Sequence, residues 1–346
     1  MMVGRVWTEW VGWCRALRAI GALTVLLVML AAASAAPAPA AAAVWSITPG
    51  LAAGGVLSGV SCTAPTVCTA VGSSGGATLA EHWNGTTWSP QPTPNPSGAT
   101  SSVLSGVSCT SATACTAVGQ TNNGRSQALA EQWDGTAWVI EPTPFPTQYK
   151  VLSSFLLSGV SCALNGCTAV GQSTGLVCNG STSCRNCFQL PGCTIRQETL
   201  AERWDGSTWT IQPTPYQPAL FGVSCATLTA CTAVGHYPDG TIAEGWDGSR
   251  WSVDATSENL TNNGGSLSGV SCTKANACVA VGQAKGMTLA EISNPDWLTQ
   301  PTPNPSGATG SQLTGVSCAT SAACTAVGYY TNSAGTDLTL AESYAG

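Results

Sequence analysis

The sequence predicts an all-β fold: a six-bladed β-propeller of four-stranded antiparallel blades, its ring closed by an N-terminal strand that completes the last blade. Three observations predict it. The string Gly-Val-Ser-Cys begins at Gly59, Gly106, Gly159, Gly222, Gly269 and Gly315, and self-similarity at such a period is the mark of a repeat architecture. Each of the first five repeats contains four short runs with strand composition, the blade unit of propellers. The last repeat stops at "LAESYAG", Leu340 to Gly346, without its fourth run, while "VWSITPG", Val44 to Gly50, stands before the first repeat like a fourth run without its blade. Closing the ring that way removes exposed sheet edges.

In the second unit the four runs are "LSGVSC" (Leu104–Cys109), "CTAVG" (Cys115–Gly119), "ALAEQW" (Ala128–Trp133) and "AWVIEP" (Ala137–Pro142). Val and Thr recur within the runs, and Gly, Ser, Asn and Asp punctuate them. Asp134-Gly135, between the third and fourth runs, predicts a two-residue hairpin in which Trp133 faces Thr136 and Glu131 faces Trp138. Pro-rich segments lead from one unit to the next. The propeller is expected over 44–346, with an insertion at 172–199 in the third blade.

The segment 1–35 reads as a secretory signal. Arg5, Arg15 and Arg18 make its start positive, Ile20 to Ala33 is an apolar core, and Ala33-Ser34-Ala35 offers a cleavage site. An uncleaved membrane anchor is the competing reading, because Trp7, Trp10 and Trp13 make the start unusually apolar; no later segment suggests a membrane. The Ala/Pro-rich stretch 36–43 is a linker. Only 8% of residues are charged and the net charge is −6. Cleavage takes away three Arg and Glu9 and makes the remainder more acidic. With no basic run left, nucleic acid is excluded as a partner class.

Each unit carries a cysteine pair flanking the turn between its first two runs. Adjacent antiparallel strands bring such residues close enough for a disulfide, and a secreted chain meets an oxidising compartment. Six local bridges are predicted: Cys62–Cys68, Cys109–Cys115, Cys162–Cys167, Cys225–Cys231, Cys272–Cys278 and Cys318–Cys324. The third pair is one residue closer, so its turn must differ. Buried thiols or metal ligands are the alternative, but one pair per blade cannot supply four zinc ligands.

Trp133 and Trp138, and their counterparts, have two readings, packing between blades or a platform for sugars; recurrence of the pair in four repeats favours packing. The recurring alanines at 80, 130, 201, 243, 290 and 341 imply close sheet contact. The recurring Glu81, Glu131, Glu202, Glu244, Glu291 and Glu342 are expected to accept hydrogen bonds from a neighbouring blade's backbone. Paired acids for glycoside hydrolysis would need two different environments, and equivalent copies do not offer them.

The units resemble kelch-type propeller repeats in the Gly that ends the second run (Gly72, Gly119, Gly171, Gly235, Gly282 and Gly328), in the turn before a Trp and in the Pro-rich exit. They are more similar to cysteine-paired repeats of secreted bacterial proteins. The resemblance covers 44–346 and implies the propeller fold without assigning functional residues.

In a symmetric ring, function belongs where the copies differ. Loops between second and third strands, and those between blades, vary in length and share one rim. The 172–199 insertion carries Cys178, Cys184, Cys187 and Cys193; two disulfides are expected, with zinc as the alternative. Arg185, Phe188 and Arg196 ride on it, Arg125, Lys150 and Lys285 lie elsewhere on the rim, and His236, Tyr237 and Asp239 open a loop of blade four. These rim residues, Arg125, Arg185, Phe188, Arg196, His236, Tyr237 and Asp239, are the candidate ligand-binding set. No nucleophile–base pair, metal motif or phosphate loop accompanies them, so no catalytic residue and no cofactor is assigned. The expectation is a secreted or cell-surface binding module for an extracellular polysaccharide or protein. A glycan-active hydrolase or lyase and a structural envelope component are the alternatives.

Overall fold

The computed structural model describes residues 55–149, 151–164, 166–178, 193–215, 219–238, 240–254, 264–294 and 296–346. All described strands lie in one compact unit, Pro49–Gly346, and form a six-bladed β-propeller. Blade two shows the pattern: Ser101–Ser111, Ala114–Asn122, Ser126–Trp133 and Trp138–Glu141 pair antiparallel in chain order. The first five blades have four strands each. The sixth has three among the described residues, Gly310–Thr320, Ala323–Thr331 and Asp337–Ala345. The run predicted to complete it, 44–50, lies outside the described residues, as do the signal and linker segments. One backbone bridge, His236 with Ser266, joins blades four and five.

The recurring string has a separate physical reason at each residue. Its Gly lets innermost strands approach: a Cβ on Gly106 would stand 3.4 Å from the Gly159 Cα, and one on Gly222 would stand 3.2 Å from that of Gly269. Its Val packs between blades. Its Ser accepts a hydrogen bond from the backbone N–H of the next blade's Cys. The bonds run from Cys109 to Ser61, Cys162 to Ser108, Cys225 to Ser161, Cys272 to Ser224 and Cys318 to Ser271, at 2.9–3.0 Å. Its Cys closes the disulfide. The Gly that closes the second run lies inside the observed second strand, at a bulge: a Cβ on Gly119 would fall 2.0 Å from the Val103 carbonyl oxygen, and the other five repeat this within 0.1 Å.

All six predicted disulfides form, between directly opposed residues with Cα atoms 3.9–4.0 Å apart. The third differs by losing a bulge. Five hairpins shift register just after the first cysteine, as between Cys109 and Ser111. In blade three Cys162 faces Cys167 and Ala163 faces Gly166 without a shift, and Leu164 takes a φ of 54° in the tighter turn.

The Asp-Gly hairpin needs correction. Trp133 faces Trp138, not Thr136, and Glu131 faces Ile140, not Trp138. The connection spans four residues because the Asp134 carboxylate closes it: Oδ1 accepts from the backbone N–H of Thr136 and Ala137 and from the Thr136 hydroxyl. Only Gly135 of the pair has positive φ, so the Asp acts through its side chain rather than through a left-handed backbone. The paired indoles lie 5.5–5.8 Å apart, tilted by 42–46°, in four blades. In blades two to four they pack against the preceding blade: Trp204 and Trp209, for example, join Val118 and Ala130 in one core cluster.

The glutamates also need correction. Glu81, Glu131, Glu202, Glu244 and Glu291 are buried, but the expected backbone donor is missing at Glu131, Glu202 and Glu244. Glu291 accepts from the Thr241 hydroxyl of the preceding blade. Both carboxyl oxygens of Glu131, Glu202 and Glu244 lack a hydrogen bond. Thr78 is beside Glu131, but its hydroxyl proton is directed to Thr93 or Pro94.

The faces of blades one and six that turn away from this stack differ from the rest. Val60 is 61% exposed where Val107, Val160, Val223 and Val270 are each 9% exposed. Val327 of blade six is 44% exposed where its counterpart Val118 is fully buried.

Candidate functional site

The candidate rim is built by the loops joining second to third strands, and in blade three those strands are extended. Pairing continues past Gln172 and Thr199 through Leu176 and Ile195 to Cys178 and Cys193. The base of the insertion is therefore a β-hairpin continuing the blade, not a loose loop. Cys193 is disulfide-bonded, and the register sets it opposite Cys178. Cys184 and Cys187 lie outside the described residues, as do Arg185, Phe188 and Asp239.

Against this hairpin lies a cleft of about 440 Å³, lined by Gln148, Val177, Arg196, Glu198, Leu200, Ile211 and the Gln212–Pro215 exit segment. Glu198 organises it. The Tyr149 hydroxyl lies 3.3 Å from Glu198 Oε2 and 2.9 Å from the Ser173 hydroxyl. Gln148 Nε2 donates to the same Glu198 oxygen at 3.4 Å, and Arg196 Nη1 stands 3.9 Å from Oε1. Burial, with the Glu198 charge adding to it, pushes the Tyr149 phenol up to about 12; it stays protonated at neutral pH and remains a donor. The Glu198 side chain is nearly buried while that of Arg196 is half exposed. The result is a fixed acceptor inside with a guanidinium at the mouth. Leu200 and Ile211 supply apolar wall. Thr199 and Thr214 bind one another, as do Thr78 with Thr93 and Thr288 with Thr302, so that pair is repeat architecture rather than site.

The other described residues of the predicted set, Arg125, His236 and Tyr237, sit at the same rim on separate blades. Arg125 donates to the Leu152 carbonyl oxygen at 3.4 Å. The His236 ring nitrogen Nδ1 lies 3.2 Å from the Gly265 carbonyl oxygen, beside the bridge between blades four and five. Tyr237 is exposed. Of the described members of the predicted set, the structure brings Arg196 alone into the cleft. Sequence reasoning missed Gln148, Tyr149 and Glu198. The signal for Glu198 was present: its station holds Ala77, Gln127, Gly240 and Met287 in other blades, so a carboxylate there breaks the repeat. Among the described residues no cluster of metal-ligating side chains occurs, and no helix is long and apolar enough to cross a membrane.

No protein-family model matches the sequence, and no curated protein matches it. Solved structures do. The chain is similar to YCF48 bound to a D1 peptide, at 12% identity over 84% of this chain and 79% of that one, TM-score 0.51. It is similar to the RRP9 WD40 repeats, at 9% identity over 82% and 79%, TM-score 0.51. It is also similar to the fucose-specific lectin from Aleuria aurantia, at 11% identity over 84% and 95%, TM-score 0.50. At these identities the likeness establishes the fold: the chain is a β-propeller.

Proposed function

We propose that this chain is a secreted or cell-surface, non-catalytic binding module, with kelch-like cysteine-paired repeats as its scaffold, and that it takes an extracellular polysaccharide or protein at the blade-three cleft. The observation that carries the reading is the Glu198 arrangement. Its carboxylate, held by Tyr149 and Gln148, stands beside the half-exposed Arg196 in a cleft of about 440 Å³, large enough for a sugar ring or a few side chains. Fixed polar groups with apolar wall between them suit a ligand of hydroxyls and amides. The propeller neighbours include a lectin and a peptide complex, so the fold serves both ligand classes elsewhere. Six disulfides fit an oxidising compartment.

The test is binding to an immobilised glycan and peptide array, with Arg196→Ala and Glu198→Gln as variants. Selective binding to one ligand class, weakened at least about 10-fold by either variant, supports the reading. Binding indifferent to both variants removes the cleft as the site. Turnover of a polysaccharide abolished by Glu198→Gln would replace the reading with the hydrolase.

A further inference from the structure

The repeat also breaks on the opposite rim, where the disulfide hairpins lie. On each blade the residue before the third-strand Trp faces the next blade: His82, Gln132, Arg203 and Gly245 in blades one to four. In blade three Arg203 fills the gap, and its Nη1 donates 2.8 Å across to the Leu228 carbonyl oxygen of blade four. In blade four the station is Gly245 and the gap stands open as a cleft of about 240 Å³. A second change lies next to the first. The fourth strand ends in Gln91, Gln212 and Gln300 in blades one, three and five and in Glu141 in blade two; Gln91 and Gln212 each accept from an indole N–H of the next blade, Trp138 or Trp251. Blade four has Asp254 there, one carbon shorter. Its carboxylate makes no such bond; it lies over Gly245, with Oδ2 3.0 Å from where a Cβ would be, half-buried at the inner end of the cleft.

We propose that this cleft between blades four and five binds a neutral hexose residue of a glycan. Asp254 accepts from two adjacent hydroxyls of the sugar, which a carboxylate's two oxygens suit. Thr232 and Ser252, flanking Gly245 in register, line the floor, and Lys274 and Asn276 on the disulfide hairpin of blade five line the facing wall as donors to ring and hydroxyl oxygens. Charges of opposite sign on the two walls favour a neutral polyol over an ion of either sign. Asp247 also borders the cleft, but one of its oxygens is occupied by its own turn and the other stands 3.7 Å from Arg250. The clefts at the equivalent place between blades two and three and between five and six offer less. The first is of similar size, about 230 Å³, but has Gln132 in place of the Gly and no carboxylate in its lining, and the second, of about 160 Å³, has Val279 and Ile292 along the floor and no carboxylate. The two departures of blade four thus open onto one space and equip it.

The experiment is saturation-transfer NMR and calorimetry on the full chain with methyl α-mannoside, methyl β-galactoside and methyl β-glucoside, with Nα-acetyl-lysine amide as the competing ligand. The variants are Asp254→Asn, Gly245→Arg, which copies blade three, and Arg196→Ala at the other rim. Thermal melting checks that each variant folds; the Gly245 station carries His, Gln and Arg in other blades, so a side chain is compatible with the blade. The expected result is one hexoside bound per chain at millimolar Kd or better, weakened about 10-fold by Asp254→Asn, lost in Gly245→Arg and unchanged in Arg196→Ala. The proposal is overturned by no hexoside binding up to about 20 mM, by binding that survives Gly245→Arg, or by the lysine amide binding in place of the sugars. Loss of sugar binding in Arg196→Ala alone would return it to the blade-three cleft.

Discussion

At the residue scale, the repeated string is a set of unrelated requirements at consecutive positions. Gly119 and its equivalents are needed because any Cβ would run into a backbone carbonyl of the neighbouring strand. Gly119→Ala is therefore expected to destabilise the fold by roughly 2–3 kcal/mol, measured as a lower denaturant midpoint. Ser108 acts between blades instead, accepting from the Cys162 N–H. Ser108→Ala leaves that amide without its acceptor and should cost about 1 kcal/mol, with the effect confined to the junction of blades two and three in hydrogen exchange. The recurrence of both residues was legible in the sequence. The reason for the Ser was not, because its partner is the next repeat's cysteine amide, and period alone does not say which repeats touch. Glu198 and Asp254 were legible in principle, since each departs from its own repeat station. Tyr149 also departs from its station, which holds Ala99 and Ala308 in the exits of blades one and five, but its reach to Glu198 in the next blade was not legible.

At the element scale, the disulfide hairpin was readable down to its pairing, since two cysteines beside a tight turn leave little choice of partner. The Asp-Gly connection was misread because the dipeptide signals a two-residue turn only when the backbone alone makes it. Here the Asp134 carboxylate collects three donors, and those bonds hold it, like Asp205 and Asp247, down at about 2. The third-strand hairpin of blade three was read as a loop, because cysteines and glycines there hid a continuing strand pattern. Replacing Cys109 and Cys115 together with Ala should lower stability by about 2 kcal/mol, the chain-entropy value for so short a loop. The fold should persist, because the register is also set by the bulge and by the packing of Val107 and Leu104. A collapse of the whole β spectrum in that variant would show that the bridges, and not the blade packing, hold the ring together.

At the scale of the molecule, the number of blades followed from counting strings, while the chemistry between blades did not. Sequence gives the glutamates as a repeat; only the packing shows that Glu131, Glu202 and Glu244 are buried with both carboxyl oxygens outside any hydrogen bond. Burial pushes Glu131, Glu202 and Glu244 up to about 8, with the Asp254 charge adding to the effect at Glu244. In the unfolded chain the same groups titrate near 4.5. Their neutral form is the one the fold accommodates, so their contribution is fully present below about pH 4.5. It declines as pH rises to about 8, at up to about 1.4 kcal/mol per pH unit for each group, and levels off above. The turn aspartates act in the opposite sense: held low when folded, they contribute above their unfolded value near 3.8 and lose that contribution as pH falls toward 2. Together they place the stability maximum between about pH 4 and 5, acid of where most proteins have it. Denaturation midpoints measured from pH 3 to 9 should peak there and fall toward pH 8. Glu131→Gln, which keeps the shape and removes the titration, should flatten the alkaline limb while leaving the acid limb in place. A midpoint that rises from pH 5 to 8 would mean that these carboxylates are ionised within the ring and hold counter-charges between the blades.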